Sequence, residues 1–360
     1  MSSSPHSQDI ESFCLKLPKI ELHAHINSSV SEKTFRELLR KKDVGDGQLA
    51  SVESSVFGPK ETTFKAFDDC FDIFPLIHKV IDSPEAIYKV TSDVIAEFEA
   101  DQVKYLELRT TPREELLTSM TRRSYVATVL SAIKDSKKKN LDIDVRLLLS
   151  IDRKSTVKIA WETVLMASEL AADSDRIVIG IDFSGNPKIN DAKDFIPVLA
   201  HAKSSGLKIS VHLAEIVNPL ESHQLVEIVP DRIGHGTYLH PEVGGLQESV
   251  EFVKKHKIPI ECCISSNLRS LSVAKLKLHH FGYWYKQSHP VVLATDGKGV
   301  FQCSLSGEYI LAAKAFQLSQ EELWQLSEKS IDYIFADDKT KKKLKSQWAE
   351  IRNSKFQKTI

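Results

Sequence analysis

His23 and His25 stand two positions apart in Ile20-Glu-Leu-His-Ala-His-Ile26, where apolar and polar residues alternate. A period of two is that of a β-strand, so both imidazoles leave one face while Leu22, Ala24 and Ile26 leave the other. A histidine pair on one strand face is a metal-ligand pattern. His212 ends a second strand-like run, and Glu215 follows on the turn. His235 lies between Gly234 and Gly236, which permit either close approach of a ligand or a simple bend. Asp296 ends Val292-Leu-Ala-Thr-Asp296. Singly, each has a structural explanation: a buried histidine can be a satisfied core residue, and a strand-end aspartate can cap the next helix. Together, three histidines and one carboxylate suit a single zinc ion with an open water position. Zinc lowers the pKa of its bound water toward neutrality, which is hydrolytic chemistry. One ion per chain is expected, because Ile177–Gly185 offers no lysine to bridge a pair.

Such residues need a frame that gathers strand ends. Strand candidates are Ile20–Ile26, Val103–Thr110, Ile143–Asp152, Ile177–Phe183, Leu207–Leu213, Arg232–Thr237, Ile258–Ile264 and Val291–Thr295. Amphipathic stretches lie between them, among them Tyr125–Lys139, Val157–Ala172, Phe195–Ser204 and Leu246–Lys257. Strands separated by helices pair in parallel, because a parallel connection needs a crossover. About eight such units predict an α/β fold, the (β/α)₈ TIM barrel, whose C-terminal mouth is where active sites form. Residues from about Ser31 to Gln102, with helices over Phe67–Val80 and Pro84–Glu99, are a helical insertion after the first strand that should cover this mouth. Residues 1–17 read as an N-terminal extension. Residues 18–360 read as a single barrel domain whose tail, from Ser319 onward, is helical and packs outside.

Charge narrows the partners. The 360 residues include 48 lysines and arginines against 49 aspartates and glutamates, a formal charge of −1. That balance speaks against binding a nucleic-acid polymer, which requires neutralising many phosphates. The lysine runs at 137–139 and 341–343 read as solvated faces. Five cysteines, without a Cys-x-x-Cys pair, fit a reducing compartment, and the cytosol is expected. They also exclude the His/Cys/Cys zinc site of one class of base deaminase. No apolar run reaches the length of a membrane span. A monomer acting on a small molecule is expected.

In order along nearly the whole chain stand Pro18-Lys-Ile-Glu-Leu-His-Ala-His25, Tyr105-Leu-Glu-Leu-Arg-Thr-Thr-Pro-Arg113, Gly180-Ile-Asp-Phe-Ser-Gly-Asn-Pro187 and Val211-His-Leu-Ala-Glu215. Asp231-Arg-Ile-Gly-His-Gly-Thr237, Ser266-Asn267, His279-His-Phe-Gly282 and Asp296-Gly-Lys-Gly-Val-Phe301 follow. The ensemble resembles the adenosine deaminase family, in its adenosine deaminase-like branch that acts on N6-methyl-AMP. The resemblance implies that His23, His25, His212 and Asp296 bind zinc. It implies that Glu215 donates a proton to purine N1 and that His235 orients and deprotonates the water. His25, Asn27, Gly185, Glu215 and position 297 match residues that hold the ribose and purine. Thr110, Thr111, Pro112 and Arg113 end the second strand with two hydroxyls and a guanidinium, groups that suit a phosphate. The resemblance places His78 and Asp152 near the same ligand. On residues alone, an ordinary βα loop and a buried helix face remain the alternative for these positions. The implied reaction is deamination of N6-methyl-AMP, and of related 6-substituted purine nucleotides, to IMP with release of methylamine. Adenosine as the substrate is the alternative.

Three positions depart from the family pattern. Ser28 replaces a glycine, with strain on the order of 1 kcal/mol if the backbone there has positive φ. Ser265 replaces a threonine. Gly297 replaces a second aspartate that hydrogen-bonds the purine, a loss of roughly 2–4 kcal/mol. That loss raises a third reading, a catalytically weakened purine-nucleotide binding protein, and it predicts higher turnover from Gly297→Asp.

Overall fold

The computed structural model describes residues 5–42, 46–58, 64, 66–173 and 176–356. The ends of the chain, 1–4 and 357–360, and positions 43–45, 59–63 and 65 of the expected insertion lie outside the described residues. Eight strands pair in parallel and in chain order: β1 (Lys19–His25), β2 (Val103–Thr110), β3 (Asp144–Asp152), β4 (Val178–Ser184), β5 (Lys208–Leu213), β6 (Arg232–His235), β7 (Ile260–Cys262) and β8 (Val291–Leu293). The first and last strands meet just beyond β8. His25 N–H donates to Asp296 O at 2.9 Å, and Asp296 N–H donates to His23 O at 2.8 Å. The sheet thus closes on itself as a (β/α)₈ barrel, and its closing seam runs through His23, His25 and Asp296.

Several expected elements differ in extent. The sixth and eighth strands each end two residues early, at His235 and Leu293. The seventh strand shortens to Ile260–Cys262. Ile258 N–H is taken by Val253 O of the preceding helix at 3.1 Å, and Ile264 already opens the helix Ile264–Arg269. The helix expected over Phe67–Val80 is two pieces, Asp69–Asp72 and Phe74–Val80, with Pro75 in the first turn of the second. Proline lacks an N–H and crowds the preceding turn, so it starts a helix more readily than it continues one. Ser83 caps the helix Pro84–Ala100. That helix buries Ile87, Val90, Val94, Ile95 and Phe98 at the i, i+3, i+4 spacing of an amphipathic face, and it packs on β2 and on the helix Arg122–Lys138. Late in the chain, Gln320–Ser330 lies against β8 and β1.

Beneath the mouth the barrel is filled with charge. Glu107 and Arg109 of β2, Asp182 of β4, Arg232 of β6 and Glu261 of β7 are fully buried. Arg109 Nη1 donates to Asp182 Oδ1 at 2.9 Å and Nη2 to Glu261 Oε2 at 3.0 Å. Arg232 Nε donates to Glu261 Oε1 at 2.6 Å, and its Nη2 pairs with Glu107. Buried charge is tolerable only when paired and hydrogen-bonded, and here each carboxylate meets a guanidinium. The layer is the floor on which the site stands.

Candidate metal centre and substrate pocket

Every expected metal ligand stands at a strand terminus on the mouth. His25 Nε2 and His212 Nε2 are 3.3 Å apart, and Asp296 Oδ1 lies 3.6 Å from both His23 Nε2 and His25 Nε2. His23 Nε2 is buried with no hydrogen-bond partner. The other nitrogens face the charged floor. His23 Nδ1 is 2.7 Å from Glu261 Oε2, and His212 Nδ1 is 3.1 Å from Asp182 Oδ1, an ionic contact off the ideal hydrogen-bond direction. Burial opposes the charge on Asp182 and Glu261, yet the Arg109 guanidinium holds both carboxyls well below the usual range. Ionised carboxylates accept, so the Nδ1 atoms carry the protons and the Nε2 lone pairs turn toward one point. An orphaned buried nitrogen, facing lone pairs and a carboxylate fit a metal ion. His235 also comes within ligand distance of His23 and His212.

The backbone is bent to make this arrangement. Ala214, His235 and Asp296 have φ of 53°, 61° and 61°. Positive φ in residues other than glycine costs on the order of 1–3 kcal/mol each and clusters at functional sites. The two readings of Gly234 also resolve. A Cβ there would stand 3.1 Å from His212 Nδ1 and 3.2 Å from His23 Cε1, so glycine makes room for two ligand rings.

Around the metal point, Glu215 Oε2 is 3.6 Å from His235 Nε2. Burial pushes the Glu215 carboxyl up to about 7, so it holds its proton near neutrality, as an acid must. Burial also pushes His25 down to about 3, leaving its lone pair free for a metal. Ser266 Oγ donates to Asp296 Oδ2 at 2.6 Å. Behind His235 stand Asn267 and then His279, which the motifs place in the pattern without a role.

Ser28 is not strained, because its φ is not among the positive ones. Its side chain is instead matched to Gly297. A Cβ at 297 would lie 2.7 Å from both Ser28 Cβ and Oγ. The two departures from the family pattern therefore meet in space, and a side chain added at position 297 alone would crowd Ser28.

The expected phosphate residues gather elsewhere on the mouth. Tyr125 Oη lies 2.6 Å from Thr110 Oγ1 and accepts from Asn27 Nδ2 at 3.3 Å. Arg113 lies over the Tyr125 ring, 5.1 Å from its centre. One Arg113 nitrogen donates to Ile81 O, while Nη1 is buried without a partner. Burial, with the charges of Arg113 and Lys154, pushes half-buried His78 down to about 3, so it is neutral. Thr111, Pro112, Arg113, Asp152 and Lys154 border a cavity of about 270 Å³. Gly185, at φ 105°, packs so close to Asp152 that a Cβ would stand 2.5 Å from its Oδ1.

Five contributors have no role assigned from sequence: Asp182, Glu261, Arg109, Tyr125 and Ser266. A signal existed for the first three, since a charged residue inside a buried apolar strand must have a partner.

The adenosine deaminase family model matches residues 18–351. Human N6-methyl-AMP deaminase is 46% identical over 94% of this chain and 95% of its own length. Among solved structures, Arabidopsis ADAL complexed with IMP has a TM-score of 0.85 at 35% identity, covering 96% of this chain and 98% of that one. The same protein complexed with GMP has a TM-score of 0.85 at 36% identity, covering 95% and 98%.

Proposed function

The chain belongs to the adenosine deaminase family, hydrolases of purine C–N bonds, and we propose that it deaminates N6-methyl-AMP and related 6-substituted purine nucleotides to IMP, with release of methylamine. His23, His25, His212 and Asp296 would hold zinc. Bound there, zinc supplies a water of lowered pKa. Glu215 gives its proton to purine N1, which draws electrons from C6 and opens it to attack. His235 faces the attacking oxygen. Collapse of the tetrahedral carbon expels the amine. Asn27 and Gly185 hold the ribose and purine edge.

The observation that carries the nucleotide reading is the unpaired, buried Nη1 of Arg113. An orphaned guanidinium nitrogen beside Thr110, Thr111, neutral His78 and Lys154 is a preformed place for phosphate oxygens. Relatives named for N6-methyl-AMP, and a structural neighbour complexed with IMP, support the same substrate class.

A chromatographic time course with zinc-loaded protein tests this directly. IMP and methylamine should appear in equal amounts from N6-methyl-AMP, and much more slowly from N6-methyladenosine. A faster nucleoside reaction would favour an adenosine-type deaminase. The Ser28–Gly297 exchange favours one further reading, a nucleotide-binding protein of weakened catalysis. Nucleotide binding by zinc-loaded protein without turnover would establish it.

A further inference from the structure

The first N–H groups of a helix have no partner within it and need an acceptor. In the helix Phe281–Lys286 the Phe281 N–H finds one in His279 Nδ1, at 3.1 Å. A backbone N–H can only donate, so His279 Nδ1 bears a lone pair. Burial keeps this imidazole neutral, so its proton is on Nε2. Nε2 lies 3.0 Å from Asn267 Oδ1 and donates to it. The orientation of the Asn267 amide is thereby fixed by its partners. A second contact agrees. Ser272 Oγ gives its one hydrogen to Asn267 O at 3.1 Å, so it accepts from Asn267 Nδ2, at 3.3 Å. The remaining Nδ2 hydrogen points at His235 Nδ1, 3.2 Å away. His235 Nδ1 must therefore accept, and the neutral ring carries its proton on Nε2. That nitrogen faces the metal point, 3.6 Å from Glu215 Oε2 and 3.8 Å from Asp296 Oδ2.

Building on the deaminase reading, we propose that Asn267 and His279 are positioning residues that lock His235 in its Nε2–H tautomer, so that His235 donates a hydrogen bond to the attacking oxygen and does not take its proton. A nitrogen that already bears hydrogen has no lone pair in the ring plane for a second one. The family resemblance gives His235 the opposite role. The base is then Glu215. After donating to N1, its carboxylate takes one proton from the attacking water as the C6–O bond forms. It passes that proton to the departing amine nitrogen as the C6–N bond breaks. It recovers the second proton when the C6 carbonyl forms, which restores the starting state. N1 keeps the proton it received.

The test is nitrogen NMR of the full chain labelled with ¹⁵N-histidine, both zinc-free and zinc-loaded. His235 signals are assigned by their loss in His235→Gln. Two-bond correlations report which ring nitrogen carries hydrogen, and they need no substrate, so the result stands whether or not the deaminase reading does. The expected result is a proton on Nε2 in both states. Asn267→Leu keeps similar volume and removes the side-chain hydrogen bonds to His235, His279 and Ser272. It should yield mixed His235 tautomers, with kcat down about 10- to 100-fold at nearly constant KM. His279→Gln keeps a donor at the Nε2 position, and should keep both the tautomer and most of kcat. A proton on His235 Nδ1 in the unmodified protein overturns the proposal, even where a variant fails to fold. An unchanged tautomer in folded Asn267→Leu overturns it as well.

Discussion

At the proposed metal end of the pocket, each proposed ligand stands at or just beyond a strand end; His23 is backed by Glu261, held between Arg109 and Arg232, and His212 by Asp182, paired with Arg109. At the proposed phosphate end, Thr111, Arg113 and Lys154 lie on connections after strands, His78 lies on a short helix, and Arg113 Nη1 is unpaired. The difference follows from what each end must do. Bond-making needs nitrogens and oxygens held to fractions of an ångström, which strands and an ion-paired floor provide. Phosphate recognition needs unspent positive charge, and a group already satisfied within the protein has little left to offer a ligand. One end is braced by the protein's own ion pairs, and the other keeps a cationic nitrogen in reserve.

The largest effect should come from Glu215→Gln. The amide keeps the shape but cannot shuttle a proton, so turnover should fall by roughly 10²–10⁴ while zinc content stays unchanged. In the unmodified enzyme the donating form is neutral Glu215, raised from 4.5 to about 7. Activity should thus be full below pH 7 and lost as pH rises through it. A flat profile to high pH, or an active Glu215→Gln, would remove Glu215 from the acid role.

Glu261→Gln tests whether the floor matters to the metal. It leaves Arg109 and Arg232 short of a negative partner, at about 3–5 kcal/mol, and weakens the brace on His23, which should lower zinc affinity about 10- to 100-fold. Denaturant melts and metal titration read the two separately. Normal zinc affinity would break the contrast between a braced end and an open one.

Arg113→Ala probes the open end. It should raise KM for N6-methyl-AMP about ten-fold or more, with little change in stability or in nucleoside binding, because a charged hydrogen bond is worth about 1.5–3 kcal/mol. Equal losses for nucleotide and nucleoside, accompanied by a lower melting temperature, would show that its bond to Ile81 O is what counts.

The smallest effect concerns the wall between the ends. Gly297→Asp should cost about 1–3 kcal/mol of stability through crowding against Ser28, without a gain in kcat/KM. Ser28→Gly in the same chain should relieve that cost. Additive effects in the double-mutant cycle would mean that the two positions do not touch in solution.

Much of this was legible from the chain alone, for identifiable reasons. The alternation around His23 and His25 fixes a face, and a strand of parallel type fixes an end, so the clustering of these side chains followed from spacing and topology together. The extent of the seventh strand was not legible, since Ile258–Ile264 is apolar at every position but Glu261 and periodicity cannot separate strand from helix there. Pro75 did announce the break before Phe74–Val80, but as a first-turn proline it fits a start as well as a kink. The partners of Glu261 were invisible because Arg109 and Arg232 are remote in sequence. Ser28 and Gly297 each looked like a separate defect until their side-chain space proved to be shared.

The seam that closes the barrel has a consequence for how the protein comes into being. Thr295 N–H and Oγ1 bind Glu21 Oε2 across 274 positions, beside the pairing of Asp296 with His23 and His25. A ribosome delivers the two histidines early and must add nearly the whole barrel before their aspartate emerges. Contacts so distant along the chain form late, because loop-closure entropy is lost before they can repay it. Three of the four proposed ligands thus exist on a growing chain before the proposed metal centre is complete. The moment at which tight zinc binding first appears during refolding therefore times the zipping of the last strand to the first.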